Sequence, residues 1–141
     1  MAPKQEESFG VIPLIQHSGK WHVFLIQHKH GRYWGFPKGH AEPKETPQEA
    51  ALRELKEETN LEIVQYLQQD PLVEQYCFTW EGRKVFKRVF YYIAEVKGEV
   101  ILQKNEVQDG KWIPFPEAID HITHPEGKLI LSQVEKILEK R

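Results

Sequence analysis

The chain has 141 residues, a length that suits one domain with its own core. Hydrophobic residues make up 40% and charged residues 28%, a balance that excludes a disordered chain. The formal net charge of -2 leaves no global basic field to hold a nucleic-acid duplex, and Cys77, the one cysteine, rules out an intrachain disulfide.

Met1 to Ser8 is polar, lacks the apolar run of a signal peptide and reads as a flexible N-terminal segment. No stretch approaches the roughly 18 apolar residues of a membrane span. The expectation is a cytoplasmic protein with no membrane partner, a monomer whose residues 9–141 form a single domain. Phe9 to Ile15 reads as a strand, with Pro13 placing it at an edge or a bulge. Trp21 to Gln27 is a second strand, and a loop rich in Gly, Pro and His runs from His28 to Glu45. The segment from Thr46 to Thr59 is the clearest helix. Thr46 suits the N-cap, Pro47 the first helical position, and Glu49 completes a Thr-x-x-Glu capping box. Asn60 can take the left-handed conformation that ends it.

Strand character returns from Leu61 to Leu67. Two longer strands, Leu72 to Thr79 and Lys84 to Val96, are joined by a turn at Glu81-Gly82. Cys77 has no pattern of catalytic partners around it and reads as a small core residue. Val100 to Gln103 is a short strand, Asp109-Gly110 a turn into Lys111 to Pro114, and Pro116 to Ile122 a short helix. Gly127 to Lys140 reads as a second long helix, with Leu129, Leu131, Val134, Ile137 and Leu138 mostly on one face. The pattern predicts an α/β protein with a mixed sheet and helices packed outside it.

Chemistry concentrates in Arg53-Glu54-Leu55-Lys56-Glu57-Glu58. Glu54, Glu57 and Glu58 stand at i, i+3 and i+4 and project from one helix face, where like charges cost about 0.2 to 0.5 kcal/mol per pair. A divalent cation turns that repulsion into attraction, and hard oxygen ligands suit Mg²⁺, with Mn²⁺ as a substitute. Alone, such a run is more often a solvated surface. The flanking residues give it a frame: Gly39-x5-Glu45-x7-Arg53-Glu54-Leu55-x-Glu57-Glu58-x-Asn60-Leu61. Over these 23 residues the chain resembles the box of the Nudix hydrolases, departing only at Asn60, where that family has Gly.

The resemblance implies an α/β/α sandwich around a mixed sheet and metal-assisted hydrolysis of a phosphoanhydride bond in a nucleoside diphosphate derivative. By position, Glu57 and Glu58 would bind metal. Glu54 would bind metal or act as general base, and Arg53 would orient Glu54 or Glu57. Glu45 would hold the loop in shape. A backbone carbonyl of Lys38 or Gly39 would be a further ligand, and Glu106, from a later loop, would complete the site unless it is a plain exposed acid.

Trp34-Gly35-Phe36-Pro37-Lys38-Gly39-His40 and Val89-Phe90-Tyr91-Tyr92-Ile93-Ala94-Glu95-Val96 resemble the asymmetric diadenosine tetraphosphate hydrolases within this family. That resemblance implies cleavage of diadenosine tetraphosphate to ATP and AMP. Lys38 would meet phosphate oxygens, His40 would donate to a phosphate or position water, and Lys87 and Arg88 would meet outer phosphates. Tyr33 would donate a hydrogen bond or stack. Tyr91 would stack on adenine; Tyr92, pointing to the opposite strand face, could replace it but not join it. Alternatives are removal of pyrophosphate from RNA 5′ ends, hydrolysis of oxidised dGTP, and, in another class, a non-catalytic nucleotide sensor, which the retained glutamates disfavour. His28 and His30 are spaced like a metal pair but read as loop surface.

Overall fold

The computed structural model describes residues 2–115 and 117–141. In chain order the elements are β1 (Lys4–His17), β2 (Lys20–His28), β3 (Trp34–Gly35), β4 (Lys38–Gly39), α1 (Pro47–Thr59), β5 (Glu62–Tyr66), β6 (Leu72–Trp80), β7 (Arg83–Lys97), β8 (Val107–Pro114), α2 (Glu117–His121) and α3 (Pro125–Glu139).

The strands form one mixed sheet with the path β3-β2-β1-β7-β5; β4 adds to β1, β6 to β7 and β8 to β2. Among the described residues only β1 and β7 pair in parallel, from Lys4 opposite Val85 to Leu14 opposite Glu95. Alternation along β1 then assigns residues to two cores. Val11 joins Ala50, Ala51 and Leu55 of α1 on one face. Ile12 joins Ala118 of α2 and Leu131 and Val134 of α3 on the other. Helices thus cover both faces, the α/β/α sandwich expected. None of the described helices is long and apolar enough to cross a membrane.

Several local expectations need correction. The segment expected to be flexible carries strand from Lys4, because parallel pairing with β7 satisfies its backbone. Pro13 lies in a central strand, neither at an edge nor in a bulge. On one side β1 pairs with β4 at Phe9 and Gly10 and with β2 from Leu14 onward. The Val11 N–H reaches Pro37 O in the interval between these partners, at 3.3 Å. By the two-residue period the Pro13 nitrogen faces the same interval, where no ladder bond is lost. Asp109-Gly110 is not a turn but part of β8. A Cβ on Gly110 would come within 2.6 Å of the Phe24 ring, so glycine there serves close packing. Cys77 is exposed on β6 rather than in the core. In the short helix expected from Pro116 to Ile122, Glu117–His121 is helical, and Pro116 lies outside the described residues.

The segment 100–103 is not a strand. Its Ile101 and Gln103 N–H groups donate to Thr59 O (2.9 Å) and Glu58 O (3.2 Å), the orphan carbonyls at the end of α1. That contact ties the chain before Glu106 to the carboxylate helix.

Candidate active site

The helix that carries the acids is fixed at both ends. The Thr46 hydroxyl accepts from Glu49 N–H at 3.1 Å, and the Glu49 carboxylate accepts from Thr46 N–H at 2.9 Å. Asn60 takes φ 68° and closes the helix with its N–H on Lys56 O. Its side-chain amide donates to Glu99 O at 2.9 Å, tying the cap to the following loop.

Glu54 and Glu58 of α1 and Glu106 of the loop before β8 bring carboxylate oxygens within 4.8 Å of one another. Glu58 is buried and its Oε1 accepts from Lys38 N–H at 3.2 Å. Burial first, then Glu54, push the Glu58 carboxyl up to about 9. Burial also raises Glu54, against Arg53, with Glu57 and Glu106 adding to the rise. Three acids held this close disfavour their own ionised forms unless a cation joins them. The donor set, all carboxylate oxygens, fits Mg²⁺ or Mn²⁺.

Arg53 organises the surroundings. Its Nε and Nη2 donate to both oxygens of Glu45 at 2.7 and 3.0 Å, a bidentate pair. Nη2 also donates to His40 O at 2.9 Å. The Glu45 hydrogen bond, foremost, holds the guanidinium above its ordinary value. Glu45 in turn accepts from Glu42 N–H at 2.9 Å, so loop and helix are stitched at one point. Nη1 reaches Glu57 at 3.3 Å and Glu54 at 3.5 Å. The Glu57 carboxylate is therefore held by Arg53, outside the trio of Glu54, Glu58 and Glu106. Gly39 is needed for space: the Glu54 carboxylate occupies the place a Cβ would take.

A groove of about 410 Å³ opens over the acids, and Lys38, His40 and Lys87 line it on the cationic side. Lys87 is 6% exposed and lies 3.6 Å from Glu6. Burial, then Lys38, lower Lys87; burial, then Lys87, lower His40. Burial would lower Lys38 too, but Tyr33, Tyr76 and Glu74 outweigh it and hold it up.

Lys38 also lines a second cavity, of about 420 Å³, between β6, the β3 segment from Tyr33 to Phe36 and the start of α3. Tyr91 forms its floor, 2% exposed, with the ring edge on Phe36 at 4.9 Å between centroids. Tyr92 faces the other core beside Tyr66. The more open rings are those of Tyr76 and Phe78, with Tyr33 on the opposite wall stacked on His28 at 4.5 Å. His28 Nε2 lies 3.2 Å from Phe36 O, and burial holds the imidazole down at about 4. His28 is a neutral support for Tyr33, not half of a metal pair. Sequence reading missed Glu74, Tyr76, Phe78, His124 and Glu126 as cavity residues. The signal present was the alternation Glu74-Tyr76-Phe78, in which an acid shares a strand face with aromatic rings.

The sequence profile of the NUDIX domain matches residues 4–133. The chain is 34% identical to the asymmetrical bis(5′-nucleosyl)-tetraphosphatase of Rattus norvegicus over 118 residues, 81% of this chain and 78% of that one. It is 28% identical to the MutT4 protein of Mycobacterium tuberculosis over 76% of its length, but spans only 43% of that relative. In structure it resembles the Ap4A hydrolase of Caenorhabditis elegans, with a TM-score of 0.72, 28% identity and coverage of 98% of this chain and 99% of that one. Profile match, fold and the geometry of the glutamate helix agree: the chain belongs to the Nudix family of hydrolases.

Proposed function

We propose that this chain hydrolyses diadenosine tetraphosphate to ATP and AMP, acting as a cytoplasmic monomer. The observation that carries the reading is the path from the Glu54, Glu58 and Glu106 trio, along Lys38, into an aromatic cavity of nucleoside size. The kinship with asymmetrical tetraphosphatases supports it.

Glu54, Glu58 and Glu106 would hold Mg²⁺ or Mn²⁺, with Glu57 and a carbonyl of Lys38 or Gly39 as further ligands. The bound ion supplies neutralisation of charge on the phosphate oxygens. Lys38, His40 and Lys87 bind and orient the polyphosphate, Lys38 as a point charge between groove and cavity. Water attacks phosphorus; the new O–P bond forms as the bridging P–O bond breaks, and the water's proton passes to the carboxylate of Glu54. Arg53 keeps Glu54 in line while Glu45 keeps Arg53 in place. The base lies against Tyr76 and Phe78, with Tyr33 opposite and Tyr91 beneath. Tyr91 then acts as the support of this wall, not as the open platform.

Product analysis across dinucleoside polyphosphates, 5′-triphosphate RNA and oxidised dGTP with Mg²⁺ tests the proposal. ATP plus AMP in equal amounts from diadenosine tetraphosphate is the expected result, and ¹⁸O-labelled water locates the broken bond. Two ADP, or clear preference for RNA ends or oxidised dGTP, overturns it.

A further inference from the structure

Glu74 is not used by the chemistry above. Its neighbours on β6, two residues apart, are Tyr76 and Phe78, and all three line the aromatic cavity. Leu72, one step further in, pairs with Tyr91, the cavity floor. Glu74 thus stands at the inner end of an aromatic wall, half-buried, facing Lys38 of β4 and Glu126 of α3. It forms no side-chain hydrogen bond or ion pair among the described residues. A half-buried carboxyl left without a partner in a ligand-sized cavity is costly unless something else completes it.

We propose that Glu74 reads the hydrogen-bonding edge of the purine held in this cavity and lets the cavity take either adenine or guanine. The inference rests on the nucleotide reading of the site. A base laid along the rings of Tyr76 and Phe78 turns its edge toward the inner end of the strand, where Glu74 is the acceptor-bearing side chain. A carboxylate accepts from the two adjacent donors of guanine, N1–H and the 2-amino group, as a charge-assisted pair. A carboxylic acid donates to adenine N1 and accepts from the 6-amino group. Burial pushes Glu74 up to about 7, with Lys38 pulling it down and Glu126 adding to the rise, so both forms are present near neutrality. Glu74 therefore admits both purines, and glutamine, which keeps only the donor-acceptor pattern, would not.

The test measures kcat/KM for diadenosine and diguanosine tetraphosphate with wild type, Glu74→Gln and Glu74→Ala under one Mg²⁺ concentration. The ratio of the two substrates cancels any general damage to the hydrolytic centre. Glu74→Gln is expected to raise the adenine-to-guanine ratio about tenfold by losing guanine turnover efficiency. Glu74→Ala is expected to raise KM for both substrates with kcat held, because the base lies away from the reacting phosphorus. A ratio and KM values matching wild type in both variants overturn the role of Glu74 while leaving the hydrolase reading intact. A wild-type protein that cleaves neither dinucleotide overturns both.

Discussion

The two ends of the site are built in opposite ways. The acidic end is local: Gly39 to Asn60 supply its loop, its helix and most of its charge, and only Glu106 arrives from elsewhere. The cavity end is assembled from β6, β7, the β3 segment from Tyr33 to Phe36 and the start of α3, segments far apart in the chain. The acidic end concentrates like charges that only a cation can reconcile. The cavity end is apolar walls with a few polar groups, as ligand pockets usually are. The carboxylates are therefore held mostly by one loop and helix, and the cavity by segments distant in the chain.

The sharpest break between the ends should come from the acids. Glu54→Gln or Glu58→Gln is expected to lower kcat about 10²- to 10⁴-fold with much smaller changes in substrate binding. Glu57→Gln should fall in the same direction if its carboxylate leaves Arg53 for the metal. Unchanged turnover in steady-state assays would refute those assignments. Gly39→Ala should cost about 10²-fold in kcat, because a methyl group there displaces the Glu54 carboxylate. Circular dichroism should show the fold kept.

At the cavity, Tyr76→Ala should raise KM about tenfold and leave kcat within about twofold, as loss of a stacking surface predicts. A fall in kcat instead would mean that Tyr76 reaches the reacting centre. The smallest effect is on stability. The folded-state value of Glu58, about 9, lies above its ordinary 4.5, so the folded protein holds a proton that the unfolded chain has lost. In EDTA, the melting temperature should therefore fall as pH rises from about 5 toward 9. Mg²⁺ should oppose that fall, and Glu58→Gln should flatten it and raise the metal-free melting temperature. A flat profile for the wild type would contradict the buried, proton-binding carboxyl.

Legibility followed locality. The α1 caps were readable because Thr46, Glu49 and Asn60 act on backbone groups within four residues. The hairpin turn at Glu81-Gly82 was readable for the same reason, both residues taking positive φ. Pro13 misled because its neighbour strands change along its length. Segment 100–103 misled because its donors serve α1 rather than a strand. Tyr91 was singled out by the family resemblance of its strand, but its burial to 2% exposure cannot be read from a strand's alternation.

The sequence by itself determined the glutamate helix and its caps, since these depend on spacing along a single turn-repeating element, while the hydrolytic chemistry was implied by the resemblance of Gly39 to Leu61 to the Nudix box. Only the tertiary structure decided which carboxylates meet. It placed Glu58 in the trio by burying it against Lys38, assigned Glu57 to Arg53, and brought Glu106 in through a loop bonded to the end of α1. It also decided the cavity, because Tyr33, Glu74, Tyr76 and Glu126 become neighbours only when a strand edge, a loop and a helix end pack together, and such contacts leave no periodic trace in the chain.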